Sequence, residues 1–200
     1  MITLVSSPKH GTGVTVTAAL LALALARHEH TVLVDLAGDQ LHALGVTQRS
    51  DTGSVHVTPR LDVIDASTAD IATQLDVVRG AHKRTSAVVV DAGTADHQIH
   101  TTLAHHTDTR VVWVVRCCYL TLRRAVQQPT RPDQLIVLRE GQRALSIGDV
   151  EAVLGVPVAA IIDLDPAIAR AVDAGLLAAR PPSHPLTALA AVAAREPTAR

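Results

Sequence analysis

Aromatic side chains are almost absent from this 200-residue chain, which holds one tryptophan, Trp113, one tyrosine, Tyr119, and no phenylalanine. Aromatics make up 1% of a sequence that is 48% hydrophobic, so the core has to be built from Val, Leu, Ile and Ala. Cores of that kind suit helices packed on a parallel sheet, whose strands are continuous apolar runs because both of their faces are buried. The scarcity of aromatics therefore favours an α/β architecture.

Cysteine, net charge and long apolar runs are scarce as well. Cys117 and Cys118 are the only cysteines and stand side by side, so no spaced set indicates a disulfide framework or a zinc site. We expect them to be free thiols in a reducing cytoplasm. The net charge of -1 excludes a global attraction to nucleic acid or anionic membrane. No run approaches the roughly 18–20 apolar residues of a membrane span, and the N-terminus does not resemble a signal peptide. We expect a cytoplasmic protein.

Short apolar, β-branched runs recur along the chain and predict buried strands. They cover residues 1–7, 30–36, 61–65, 86–92, 109–115, 134–140 and 156–162. Helical patterns lie between most of them, at residues 15–27, 68–80, 95–106, 119–128, 146–154 and 166–178, and the polar segment 46–60 predicts a loop. This alternation predicts a single doubly wound α/β domain with a mostly parallel sheet flanked by helices. We place the domain at residues 1–180 and a short helix, 186–195, and a tail within 181–200.

Acidic residues end three of the predicted strands: Asp35, Asp65 and Asp91. In open α/β sheets, ligands bind beyond the carboxyl ends of the strands. We therefore expect the functional site at that edge.

The stretch SSPKHGTGVTVTAAL, residues 6–20, joins the first predicted strand to the first helix. A strand that leads through a glycine loop into a helix makes an anion site, because backbone N–H groups and the helix N-terminus converge there. Gly11 and Gly13 permit the tight backbone, and Thr15 stands where a P-loop hydroxyl would bind magnesium. The plain Walker pattern is not met, because Pro8 replaces its first glycine and Val14 replaces its lysine.

KHGTGVT resembles the deviant Walker A motif of the ParA/MinD family of P-loop ATPases, which has the form K-G-G-x-G-K-[ST]. Lys9 then matches the family's signature lysine, which reaches the nucleotide phosphates across a dimer interface. TVLVDLAGDQ resembles the family's next strand with its acidic end, and SAVVVDAGT resembles its Walker B strand. IGDVEAVLGVPVAAIIDLDPAIARAVDAG also resembles family sequences. The resemblance covers nearly the whole chain and is closest to actinobacterial MinD-like and CpaE/TadZ-like members.

The resemblance implies ATP and magnesium as cofactors and assigns residues to them. The nucleotide-binding positions would be Lys9, His10, Gly11, Thr12, Gly13, Val14 and Thr15. Magnesium would be linked to Thr15, Asp35 and Asp91, and Gly93 would lie near the γ-phosphate. Asp35 and Lys9 would serve catalysis if the protein is active.

Departures from the family pattern point to a degenerate P-loop. Val14 replaces the loop lysine and His10 replaces a glycine. The family's second strand ends D-x-D, but Ala37 takes the second aspartate's place here, and Asp39 comes two residues late. Phosphoryl transfer depends on positioning and on neutralising charge. Valine at position 14 can do neither, and the family's second aspartate, absent at Ala37, helps to orient the attacking water. We therefore expect weak or absent ATP binding and negligible hydrolysis.

Three functions remain open at this point. The first is a degenerate ParA/MinD-like positioning or scaffolding protein with a protein partner, and with a possible homodimer through the face that carries Lys9. The second is a slow but working ATPase switch for partitioning, septum or pilus localisation, with Lys9 in the role of both lysines. The third is an ATP-dependent ligase resembling dethiobiotin synthetase, which requires the loop lysine that Val14 replaces.

Other polar clusters favour simpler interpretations. His97 and His100, with His105 and His106, fall on or near one predicted helix, where we expect a solvated face rather than a metal site. Arg123 and Arg124 fit an exposed helix face, because too few charges cluster there for nucleic-acid binding. The C-terminal helix has small apolar residues and few basic ones, which makes it a poor membrane anchor. We expect it to dock on the domain's own core.

Overall fold

Strands and helices alternate along the part of the chain that the structure describes, residues 1–47, 53–95 and 97–194 of a computed structural model. The strands are β1 (Ile2–Ser7), β2 (Thr31–Asp35), β3 (Val55–Thr58), β4 (Leu61–Asp65), β5 (Ala87–Thr94), β6 (Thr109–Arg116), β7 (Gln134–Arg139) and β8 (Val158–Asp163). The helices are α1 (Val14–Ala26), α2 (Gln40–Leu44), α3 (Ile71–Arg84), α4 (Gln98–Ala104), α5 (Tyr119–Ala125), α6 (Ile147–Leu154), α7 (Pro166–Asp173) and α8 (Ser183–Ala194).

The strands form one sheet in the order β3-β4-β2-β5-β1-β6-β7-β8. Every neighbouring pair is parallel except β3 and β4, which are antiparallel. The predicted fold class and all seven predicted strands are confirmed. Parallel register places Asp35 beside both Asp65 and Asp91, so the three acidic strand ends stand at one level of the carboxyl edge.

The prediction of a loop over residues 46–60 is wrong for β3, which lies inside that segment. Val55 and Val57 are half-buried on the same side of this edge strand, and His56 between them is exposed. A half-solvated edge strand of four residues has a polar sequence, and that composition suggested a loop. Residues 48–52 of the predicted loop lie outside the described residues.

Helices cover both faces of the sheet with aliphatic side chains. Val89 of β5 belongs to a core cluster formed with α1, α2 and α8, whereas its neighbours Val88 and Val90 belong to the cluster beneath α3, α4, α5 and α6. Helix α1 is buried almost all round, because the sheet covers one side and α8 the other. Such a helix carries no polar stripe, in keeping with its Ala/Leu sequence.

The C-terminal helix packs on the body of the fold, where Leu186, Leu189 and Val192 join the α1 core. It begins at Ser183 rather than at the predicted residue 186, because Pro185 falls within the first turn, where proline is tolerated. Residues 195–200 lie outside the described part, and the division into 1–180 and 181–200 stays a prediction. Within the described residues, no helix has both the length and the apolar character needed to cross a bilayer.

A buried arginine ties α8 to the sheet. Arg110 of β6 is almost fully buried, and its Nη1 donates to the Val192 carbonyl at 2.6 Å. Burial lowers the pKa of the guanidinium, and the charge of Asp133 opposes that shift. Asp133 also accepts a hydrogen bond from the Val111 N–H at 2.7 Å. The carboxylate therefore balances a buried charge and satisfies a strand N–H.

We expect Asp133→Ala to lower the free energy of unfolding by about 3–5 kcal/mol, because it leaves the buried charge of Arg110 without this compensating charge and the Val111 N–H without its acceptor. Chemical denaturation measures this. Asp76→Ala is the matched control, because its pair with Arg79 is solvent-exposed with 3.7 Å between Oδ1 and Nη1. Such a pair contributes less than about 1 kcal/mol. Equal losses in the two variants would contradict the role given to Asp133.

Candidate functional site

A cavity of about 1100 Å³ opens at the carboxyl edge of the sheet, where the acidic strand ends lie. It is bounded by the glycine loop and by the turns that follow β2, β4 and β5. Its lining residues are Lys9–Val16, Leu36, Ala37, Asp39, Ser67, Ala69, Asp70, Ile71, Gln74, Ala92–Thr94 and His97–Ile99. The cavity lies at the edge where the sequence predicted a site, and all seven predicted nucleotide-binding positions line it; their role in binding stays a prediction.

The loop between β1 and α1 is held in shape by local contacts. Gly11 and Gly13 have φ values of 71° and 96°, in the left-handed region that favours glycine. A Cβ at Gly13 would also come within 2.9 Å of the terminal methyl group of Leu138, which would have to shift. The Thr12 hydroxyl donates to the Lys9 carbonyl at 3.1 Å. The loop therefore places the start of α1 at the cavity. The N–H groups of the first helical turn favour the binding of an anion there.

The family motif has a lysine at two positions of the loop, which are occupied here by Lys9 and Val14. Lys9 lines the cavity, and its Nζ donates to the carbonyl of His10 at 3.0 Å. Val14, at the position of the loop lysine, is only 8% exposed and belongs to the aliphatic core with Val5 and Leu138. Val14 therefore contributes packing where the family motif has charge.

Asp35 organises the turn after β2. Its Oδ1 accepts from the N–H groups of Ala37 and Gly38 at 2.9 and 2.7 Å, and its Oδ2 accepts from the Gln40 N–H at 2.8 Å. Burial raises the pKa of this carboxyl group, although the three hydrogen bonds act in the opposite direction. Asp35 thus fixes the chain at the point where α2 begins.

Asp91, at the end of the Walker B-like strand, is fully buried. Its Oδ1 accepts from the Gly93 N–H at 3.0 Å, and its Oδ2 accepts from the side-chain amide of Gln40 at 2.8 Å. Burial raises the pKa of Asp91 to about 6, and hydrogen bonds from Gly93, Gln40 and Thr15 lower it. Burial is thus the main reason that the pKa of Asp91 lies above that of an ordinary aspartate.

Gln40 is the site residue that sequence reasoning missed. Its fully buried Nε2 donates both to Asp91 and, at 2.9 Å, to the carbonyl of Thr15 in α1. The only signal in the sequence was its place directly after the turn that follows β2. The five-residue helix α2 that begins with Gln40 was not predicted either, because it is too short to show a helical period.

The magnesium roles of Thr15, Asp35 and Asp91 stay a prediction from the resemblance. Magnesium requires oxygen ligands in near-octahedral geometry. Thr15 lines the cavity, whereas Asp35 and Asp91 are fully buried beside it and accept hydrogen bonds from neighbouring backbone and side-chain groups. The loop and cavity do fit the phosphates of a nucleotide.

Ala37 lies opposite the end of β5. Its Cβ is 3.6 Å from the position that a Cβ at Gly93 would take. The second aspartate of the D-x-D pattern is therefore replaced by a methyl group facing the residue that the resemblance places near the γ-phosphate. Asp39 lines the cavity as an exposed residue at the start of α2.

The histidine helix differs from its prediction. His97 is exposed and lines the cavity, but His100 is fully buried against the sheet, so a solvated face is wrong for His100. Ile99 and Leu103 flank it in the core, which turns this side of α4 inward. No cluster of three or more metal-binding side chains occurs among residues 1–47, 53–95 and 97–194. Arg123 and Arg124 are exposed, as expected, and both cysteines are free thiols.

Known proteins resemble this chain in their three-dimensional structure. No family model matches the sequence, and no curated protein matches it. Among solved structures, a ParA family ATPase from Chlorobium tepidum TLS is 22% identical with a TM-score of 0.81, and the match covers 96% of this chain and 98% of that one. A chain of the MinC:MinD cell division protein complex of Aquifex aeolicus is 18% identical with a TM-score of 0.76, and the match covers 100% of this chain and 98% of that one.

The septum site-determining protein MinD of Pyrococcus horikoshii OT3, solved with Mg-ADP, is 19% identical, with a TM-score of 0.78 and coverage of 96% and 93%. Identities this low show a shared fold. The chain has the P-loop NTPase fold of ParA and MinD proteins.

The raised pKa of Asp91 predicts how the free energy of unfolding changes with pH. Its pKa is raised to about 6 in the fold, against about 3.9 in an unfolded chain. The native state therefore binds the extra proton between these values, and the burial cost of the ionised form falls as pH drops. Relative to Asp91→Asn, whose side chain does not titrate, the protein should gain about 1 kcal/mol of stability between about pH 7 and pH 5. Denaturation of both proteins at each pH measures it, and a pH-independent difference would contradict the raised pKa.

Proposed function

We propose that this protein is a degenerate ParA/MinD-like positioning or scaffolding protein that binds ATP weakly or not at all and hydrolyses it negligibly. The observation that carries the proposal is the loss of charge at the cavity. Val14 packs into the core at the position of the loop lysine, and Ala37 presents a methyl group toward Gly93. The deviant Walker A interpretation of KHGTGVT and the closeness to CpaE/TadZ-like members are part of the same proposal.

Free-energy magnitudes favour weak binding over none. A hydrogen bond to a charged group contributes about 1.5–3 kcal/mol, so the missing lysine weakens nucleotide binding about 10- to 150-fold. The pre-shaped loop and the start of α1 remain as phosphate contacts. The transition state loses more than the ground state, because catalysis rests on interactions that strengthen as the reaction proceeds. The missing lysine should therefore lower the rate of ATP hydrolysis more than it lowers the affinity for ATP.

A protein partner fits this function better than a membrane or nucleic acid. The Aquifex aeolicus neighbour is part of a MinC:MinD cell division complex, and the Pyrococcus horikoshii neighbour is a septum site-determining protein. By analogy we assign this chain a cytoplasmic role in cell organisation. Lys9 borders the open cavity, so a homodimer through that face would bring each Lys9 to the partner's phosphates.

A slow ATPase switch is the second candidate, because Lys9 lines the cavity and its ammonium group contacts a carbonyl of the loop rather than a carboxylate. In that case Lys9 would serve as the only loop cation. ATP turnover separates the two candidates. A steady rate that is abolished by both Lys9→Ala and Asp91→Ala supports the switch, and a rate indistinguishable from background supports the scaffold.

The positioning role has its own experiment. A fluorescent fusion of the full chain should show a non-uniform distribution in the cell of origin, and that pattern should persist in a variant with no detectable turnover. A uniform distribution at native expression would contradict a positioning role. Sedimentation of the wild type and of Lys9→Ala, each with ATP, tests whether the Lys9 face forms a dimer.

Val14→Lys should restore nucleotide affinity. The new side chain would start from the first turn of α1, at the cavity wall, and its ammonium group would replace the missing contact. We expect the dissociation constant for ATP to fall about 10- to 150-fold in a calorimetric titration. Val14→Met is the control, because it adds comparable length without charge and should not tighten binding.

Turnover should stay low in Val14→Lys and rise only when Ala37→Asp is added, because the second change supplies a carboxylate opposite Gly93. If Val14→Lys and Val14→Met bind ATP equally, with both folds intact by circular dichroism, the charge argument is wrong.

A further inference from the structure

We propose that the exposed face of α5 is a docking surface for an acidic segment of another protein. This α5 face consists of Tyr119, Leu120, Arg123, Arg124 and Val126. Apolar side chains of the segment would meet the ring of Tyr119, and its carboxylates would meet the two guanidinium groups. The inference rests on the proposed function, which calls for a protein partner, and adds where that partner binds and which chemistry it presents.

Bulky apolar side chains are exposed on α5, in a chain that has only two aromatic residues. Trp113 is fully buried in the core, whereas Tyr119 is 67% exposed. Leu120 beside it is 55% exposed, and Val126, at the end of the helix, is 45% exposed. Single apolar residues on a surface are ordinary, but a contiguous apolar patch with polar neighbours marks an interaction site.

The helix separates the α5 face from the side that packs on the fold. Thr121, Leu122 and Ala125 are buried, and the latter two belong to the core cluster on this face of the sheet. At 3.6 residues per turn, the five residues of the α5 face fall within about 160° of the helix circumference, on the other side. The fold therefore leaves the α5 face to solvent.

Positive charge on the α5 face is not balanced by neighbouring groups. Neither Arg123 nor Arg124 forms an ion pair within the part of the chain that the structure describes. Helix α6, which packs beside α5, carries two carboxylates, but Asp149 caps its own helix and Glu151 accepts from the Val158 N–H at 2.8 Å. An acidic partner therefore complements this face, and complementary charge selects between partners.

The composition of the α5 face favours a protein over other occupants. Tyr and Arg are enriched among the residues that carry most of the binding energy in protein interfaces. A symmetric pair of α5 faces would bring the arginines of both copies together without a counter-charge, which disfavours a second copy of this chain. Two arginines neutralise few phosphates of a nucleic acid, and lipid-binding basic clusters have about 4–8 positive residues.

Site-specific photocrosslinking in the cell of origin identifies the occupant. A photoreactive phenylalanine analogue replaces Tyr119 in the full chain, and the same analogue at His184, exposed on α8 at the opposite face of the sheet, is the control. We expect a product specific to position 119 whose crosslinked peptide belongs to another protein, is net acidic and contains apolar residues. No such product, or one with lipid, nucleic acid, a basic segment or a second copy of this chain, would overturn the inference.

Titration of the crosslinked segment, as a synthetic peptide, against the full chain tests the side chains of the α5 face. We expect Tyr119→Ala to weaken binding about tenfold or more, and Arg123→Glu with Arg124→Glu to abolish it. Arg170→Glu with Arg180→Glu makes the same charge change at exposed positions on the opposite side and should bind as the wild type does.

The α5 variants should unfold at the wild-type temperature, because their side chains are exposed. Equal affinity of the α5 and control variants would contradict the docking surface. Loss of folding in the α5 variants would mean that the face serves the fold, and would contradict it as well.

Cellular distribution separates this inference from the proposed function. In Tyr119→Ala, the non-uniform distribution of the fluorescent fusion should be lost. A pattern that persists in this variant would overturn the α5 face as the docking site and leave the positioning role standing. A uniform distribution of the wild type contradicts the positioning role itself, and crosslinking at position 119 then decides the docking surface independently.

Discussion

A parallel sheet built from aliphatic residues has to bury both of its faces under helices, and this constraint fixes where polar groups can stand. Along β1, β2 and β5 the interior offers no partner for a charge, so the carboxylates are confined to the strand ends. There the turns supply backbone N–H groups, as they do for Asp35 and Asp91. The common direction of the strands brings these ends together. The cavity is therefore a consequence of topology, and its chemistry depends on the few side chains that project from the turns.

The two buried carboxylates of this edge, Asp35 and Asp91, are satisfied by hydrogen bonds. Burying a carboxylate is costly unless hydrogen bonds satisfy it, and here three backbone N–H groups satisfy Asp35 while Gly93 and Gln40 satisfy Asp91. These hydrogen bonds hold β5, α2 and the turn after β2 together. The same groups thus stabilise the carboxyl edge of the sheet.

The sequence was sufficient for the parts of the fold that follow from local periodicity. The seven apolar runs became strands because continuous β-branched segments have few alternatives between helices. The sequence did not predict β3 and α2, which have four and five residues. Elements this short are too brief to show a hydrophobic period and are stabilised by contacts with neighbouring elements. His100 was assigned to a solvated face because imidazole is polar, whereas the packing of α4 against the sheet decided its burial. Gln40 carried no signal, because its role arises from contacts with residues 25 and 51 positions away.

Val14 and Gln40 both contact the first turn of α1 or its surroundings, and neither contact involves a ligand. A P-loop site holds concentrated phosphate charge with a lysine and a metal ion, and each reduces the work left for the other. Here Val14 adds to the core on one side of the start of α1, and Gln40 joins the same turn to Asp91 on the other. Both sets of contacts are present without a ligand. In the scaffold that we propose, contacts that stabilise the empty loop take the place of contacts that bind phosphates.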